Sequence, residues 1–83
     1  MKLRTENLSL TTLGDETVLL DLQRSRYLTV SGIGVDVVEL LAEEQSTDSL
    51  VSAVLERYDV SQETADRDVS RFIGELSAAG LVE

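Results

Sequence analysis

Val18–Ser31 reads VLLDLQRSRYLTVS, and its interpretation decides the fold. Val18, Leu19 and Leu20 form one apolar run, and Tyr27, Leu28, Thr29 and Val30 form a second. Between them Leu22–Ser25 is a polar turn. β-Branched and aromatic residues at this spacing predict a β-hairpin. Everything after Val30 has helical periodicity, so the far edge of the second hairpin strand lacks a sequence-local partner. A protein must either blunt such an edge or use it. This one is short, with Arg24 and Arg26 at its entrance. The expectation is that it is used, by an extended peptide that adds as a further strand.

Upstream, Leu8 and Leu10 alternate with Ser9 and Thr11, which predicts a first strand through about Thr12. Leu3 cannot be assigned, because Glu6-Asn7 breaks the alternation. Gly14-Asp15 signals a turn, then strand two runs over about Thr17–Asp21 and strand three over about Arg26–Val30. Downstream, Ser31 is a candidate N-cap for a helix carrying Ile33, Val37, Leu40 and Leu41 on one stripe. Glu43, Glu44 and Gln45 lead into a loop. Ser46 or Thr47 can cap a second helix, with Leu50, Val51, Val54, Leu55 and Tyr58 on its apolar face. After Asp59-Val60, Ser61 caps a third helix, with Val60 and Ala65 placed as a hydrophobic staple. Its stripe is Ala65, Val69, Phe72, Ile73 and Leu76. Gly80 then falls at the C′ position and Leu81 at C″, a Schellman stop. The order β-β-β-α-α-α predicts a winged-helix-like α+β domain: a three-stranded antiparallel sheet with one face packed on three helices.

The 83 residues make one small domain, 1–83, burying roughly 60% of the surface its unfolded chain exposes. That leaves little room for a deep active site. Histidine and cysteine are absent, which removes the commonest general base, metal ligands and disulfides. No nucleotide, metal or covalent-catalysis motif is present, so the expectation is no enzyme and no cofactor. Apolar runs extend only a few residues, and the N-terminal MKLRTENLSL lacks an apolar signal region. A cytoplasmic protein follows as the expectation. With 16 acids against 7 bases the net charge is −9, which argues against nucleic acid and anionic membranes. Helices two and three have a helix-turn-helix outline, the signature of a winged-helix DNA-binding regulator. Yet the would-be reading helix carries Glu63, Asp66, Asp68 and Glu75 against only Arg67 and Arg71, the wrong balance for DNA. Asp66 and Asp68 are two residues apart and face different ways on a helix, so they make no catalytic pair.

The Val69, Phe72, Ile73 and Leu76 stripe is primarily core. It is wide, however, with Phe72 and Ile73 about 100° apart around the helix, so one of them can face a groove beside strand three. Tyr27 and Leu28 point to opposite faces of their strand, one toward the helices and one toward solvent.

In order, Leu20-Asp21, then Ser25-Arg26-Tyr27-Leu28-Thr29-Val30-Ser31, then Asp68-Val69-x-x-Phe72-Ile73-x-x-Leu76-x-x-x-Gly80-Leu81 resembles the PqqD-like domains, also called RiPP recognition elements. The likeness covers about Val18–Val82. Ser25 replaces the family's Gly and Ser31 its Asn, both at strand ends. The resemblance implies a non-catalytic adaptor for the leader segment of a ribosomally made precursor peptide, with the leader antiparallel to strand three and its side chains between strand three and helix three. Carried over residue by residue, the implied peptide-binding set is Arg26, Tyr27, Leu28, Thr29, Val30, Ser31, Val69, Phe72, Ile73 and Leu76. The single-domain form is similar to the free-standing proteins of lasso-peptide biosynthesis. For these the implied partners are a separate transglutaminase-like cysteine peptidase that removes the leader and a cyclase. A monomer is expected. A precursor chaperone of pyrroloquinoline quinone biosynthesis is the alternative within the family.

Overall fold

A computed structural model describes residues 1–83. Three strands, β1 (Leu8–Leu13), β2 (Glu16–Asp21) and β3 (Arg26–Ser31), precede three helices, α1 (Ile33–Leu40), α2 (Thr47–Arg57) and α3 (Gln62–Ala78). The sheet is an antiparallel meander ordered β1-β2-β3. The expected α+β architecture and its element order are therefore present. Gly14 turns the first hairpin at φ 65° and Ser25 the second at φ 54°. Ser25 thus occupies a left-handed position, which explains why glycine serves there in the family pattern.

One sheet face packs on the helices. Leu19 and Val30 meet Val37, Val38 and Leu41, then Leu50, Val51 and Val54, then Ala65, Val69 and Leu76, all buried. β1 adds none of these. Leu8 is half-buried, while Leu10 and Leu13 are exposed, so β1 is held chiefly by its ladder to β2. Val38 is the core residue that the α1 stripe omitted. It adjoins Val37 and widens the buried arc.

The caps decide where helices begin and end. Ser46 accepts from the Ser49 backbone N–H at 3.0 Å, and the Ser49 hydroxyl donates back to the Ser46 carbonyl. Ser61 accepts from the Thr64 N–H at 3.1 Å. Ser31 does not cap α1: it remains in β3 opposite Glu16, and the cap residue is Gly32, at φ 58° and with no side chain to offer. The chain turns from strand into helix at Gly32, a conformation that disfavours residues with a β-carbon. At the other end, Gly80 at φ 72° donates to the Ser77 carbonyl and Leu81 to the Leu76 carbonyl, the Schellman pattern. Leu81 is consequently buried against the core.

The unassigned Leu3 forms an antiparallel bridge with Val82. Lys2 and Glu83 exchange backbone hydrogen bonds, and Arg4 N–H donates to the Leu81 carbonyl. Asp36 joins α1 to the end of α2, accepting from Arg57 at 2.9 Å and from the Tyr58 hydroxyl. No helix is long and apolar enough to cross a membrane.

Candidate functional site

The outer edge of β3 is free. Which of its groups point outward follows from the register. In an antiparallel strand the N–H and C=O of one residue face the same neighbour, and successive residues alternate. Leu22 N–H donates to the Asn7 carbonyl, on the β1 side. Leu20, Val18 and Glu16 therefore also face β1, and Asp21, Leu19 and Thr17 face β3. Their partners are Arg26, Leu28 and Val30. The backbone groups left at the open edge are those of Tyr27, Thr29 and Ser31.

Side chains alternate in step. Leu28 and Val30 lie on the helix side, half-buried and buried. Tyr27 and Thr29 lie on the outer face, with Tyr27 74% exposed. The expected division between Tyr27 and Leu28 is resolved: Leu28 faces inward.

Between β3 and α3 runs an open groove of about 360 Å³, lined by Leu28–Ser31, Ile33 and Gly34 on one side and Asp68, Arg71, Phe72 and Glu75 on the other. A smaller hollow of about 130 Å³ continues it toward the β2–β3 turn, walled by Leu19, Leu28, Glu75, Ala79 and Leu81, with Asp21, Arg26 and Tyr27 beside it. Phe72 closes on α1 because Gly34 has no β-carbon. The groove thus sets an open strand edge beside hollows of mixed apolar and charged lining.

The turn end is fixed electrostatically. Arg4 Nη2 meets Asp21 Oδ1 at 2.6 Å, with both side chains largely buried. The same oxygen accepts from the N–H groups of Gln23 at 3.0 Å and Arg24 at 3.2 Å. Burial pushes the Asp21 carboxyl up, but the Arg4 hydrogen bond and the two backbone N–H groups outweigh it and hold it below the usual carboxylate value. Arg24 donates to the Ala79 carbonyl at 2.9 Å and covers Gly80, where a β-carbon would stand 2.8 Å from its Nη1.

Of the residues proposed from sequence, Arg26–Ser31 and Phe72 line the groove or its continuation. Val69 and Leu76 have no exposed surface and lie in the core behind it. Ile73 is half-buried and packed against the core, lining neither hollow. Residues not picked out from the sequence include Leu19, Asp21 and Leu81 at the lower hollow, Ile33 and Gly34 on α1, and Asp68, Arg71 and Glu75 on α3 with Ala79 at its C-cap. Asp68, Arg71, Glu75 and Ala79 recur at three- and four-residue intervals, a second stripe beside the apolar one. Its signal was there, but charged residues at helical spacing read as a solvated face.

A family model described as coenzyme PQQ synthesis protein D (PqqD) matches residues 16–82. Two solved structures share the fold across nearly the whole chain. One is TbiB1 in complex with the TbiA(beta) leader peptide, at 30% identity and TM-score 0.88, covering 100% of this chain and 95% of that one. The other is a lasso peptide synthetase B1 complexed with the leader peptide, at 22% identity and TM-score 0.82, covering 96% and 93%. No curated protein sequence matches the chain.

Proposed function

Because this chain belongs to the PqqD family, as a PqqD-like RiPP recognition element, we propose that its residues 1–83 form one recognition domain that binds the leader of a ribosomally made precursor, a lasso-peptide precursor, by strand addition to β3. The observation that carries this reading is the open β3 edge beside the Phe72 groove, in a chain alike throughout to a leader-bound protein. Arg26–Ser31 and Phe72 touch the leader. Val69 and Leu76 support that wall from within, and Ile73 flanks it.

A disordered leader loses ~1–2 kcal/mol of backbone entropy per residue when it becomes a strand. Each ladder hydrogen bond returns about 1 kcal/mol. Ordering is therefore offset only if apolar side chains fill the hollows, and these confer both affinity and selectivity. Lacking histidine and cysteine, the domain does no chemistry itself. It presents the leader, in the cytoplasm, to a cysteine leader peptidase and then a cyclase, acting as a monomeric adaptor.

The test is fluorescence-polarisation titration with lasso-precursor leader peptides, the TbiA(beta) leader among them, and mass analysis of a lasso precursor incubated with this protein alone. Binding without any mass change is the expected result. Loss or rearrangement of the leader without a second protein counts against it. The family description favours a second reading, a chaperone for the precursor of pyrroloquinoline quinone. Preference for that precursor over a lasso leader would select it.

A further inference from the structure

The groove has an apolar wall at each end with charged side chains beside it, Asp68 and Arg71 near α1 and Asp21 and Arg26 near the β2–β3 turn. Val30, Gly34 and Phe72 wall the end near α1. Leu19, Ala79 and Leu81 wall the end near the β2–β3 turn. Leu28 and Glu75 line both hollows and so mark their junction. Charge on the rest of the helix wall is internally matched: Asp68 pairs with Arg71 at 3.5 Å and with Arg67 at 3.7 Å. The Glu75 carboxylate has no ion-pair or hydrogen-bond partner. Arg26 shares the lower hollow with it but does not reach it.

A strand laid on the β3 edge directs every second side chain into this groove, ~7 Å apart. Those opposite Val30, Leu28 and Arg26 point inward, because the side chains of these three residues do. The first of the three peptide side chains meets the wall of Val30 and Phe72, the last meets the wall of Leu19, Ala79 and Leu81 beside Arg26, and the middle one falls at the junction that Glu75 lines. A covering peptide also strips water from that carboxylate. An apolar residue there would leave it without a partner, and an acidic one would repel it.

From this geometry, and resting on the strand-addition reading above, we infer that Glu75 selects a cationic side chain, Lys or Arg, at the middle of three groove-facing leader positions whose outer two are apolar. The ligand class is thus an extended segment of pattern apolar-x-cation-x-apolar. A chain of net charge −9 also draws such a peptide in and repels acidic competitors.

The test uses a random peptide library displayed on its encoding RNA, selected separately on the intact protein, E75Q and E75K. Glu75 is exposed, so both variants retain the fold, which circular dichroism verifies. The parent should enrich the apolar-x-cation-x-apolar pattern. E75Q should keep the apolar positions and lose the central preference, and E75K should enrich Asp or Glu there. Resynthesised peptides with the central Lys changed to Gln should bind the parent roughly threefold to tenfold more weakly and E75Q almost unchanged. If parent and E75K enrich the same central residue between apolar positions, Glu75 does not select and this inference falls alone. If the parent yields no alternating apolar pattern, strand addition falls and takes the inference with it.

Discussion

Cζ of Phe72 lies 3.3 Å from the point where a β-carbon on Gly34 would stand, and Cβ of Val30 is equally close to that point. Glycine therefore lets the ring seat against α1 and keeps the groove open. Gly34→Ala gains up to ~1 kcal/mol in helix propensity. It also forces a shift of a few tenths of an ångström, which the half-buried ring can make only toward the groove. The expected outcome is a folded protein, within about 1 kcal/mol of the parent in urea, that binds leader peptide several-fold more weakly. Undiminished binding would show that the Phe72 position does not shape the site.

Proline at two adjacent positions separates the two edges of β3. Leu28 N–H faces β2 and Thr29 N–H faces the open edge, by the alternation set from Leu22 and Asn7. Proline removes one N–H and is tolerated chiefly at edges. Leu28→Pro should unfold or strongly destabilise the domain. Thr29→Pro should leave a native circular dichroism spectrum and lose leader binding. Normal binding by a folded Thr29→Pro variant would rule out strand addition here.

Phe72 and Leu76 are four residues apart on α3, yet have different roles. Leu76 is fully buried, and Leu76→Ala should cost ~2–5 kcal/mol. Phe72 is half-buried at the groove. Phe72→Ala should cost less than the ~3–5 kcal/mol of an enclosed ring while removing most of the binding. Urea melts and leader titrations on both variants check the contrast.

These contrasts mark what the sequence could and could not disclose. Strand order, the two turns, the Ser46 and Ser61 caps and the Gly80 stop are written in local spacing, and each is present. Ser31 was misleading because a cap-forming residue directly before a helix also suits a strand end, and the sharp reversal at Gly32 decides between them. Leu3 was illegible because its partner, Val82, lies at the other end of the chain. The groove was half-legible. Phe72 and the β3 edge stood out by residue type, whereas Asp68, Arg71 and Glu75 acquire meaning only when α3 is placed beside β3. The outward phase of Thr29 depends on a hydrogen bond from Leu22 to Asn7, which no periodicity encodes.

The Arg4–Asp21 pair makes stability depend on pH in a calculable direction. The folded Asp21 carboxyl ionises below its unfolded value near 4, chiefly because Arg4 and the N–H groups of Arg24 and Gln23 outweigh its burial. Between the two values the unfolded chain binds more protons, so stability rises with pH. The contribution is complete above pH ~4 and is lost as pH falls through the folded value. Asp21→Asn keeps the shape but removes the charge that Arg4 meets. The variant should have a lower urea midpoint than the parent at pH 7, and the gap should narrow progressively below pH ~4. Arg4→Met should raise the Asp21 ionisation, which carboxyl NMR titration reads directly. Arg4 also donates to the Gly80 carbonyl at 3.1 Å, so the pair joins the β2–β3 turn to the end of α3, the two walls of the lower hollow. Leader affinity should therefore weaken over the same acidic window in which the parent loses stability. A parent–variant gap independent of pH would mean that Asp21 is not ionised against Arg4.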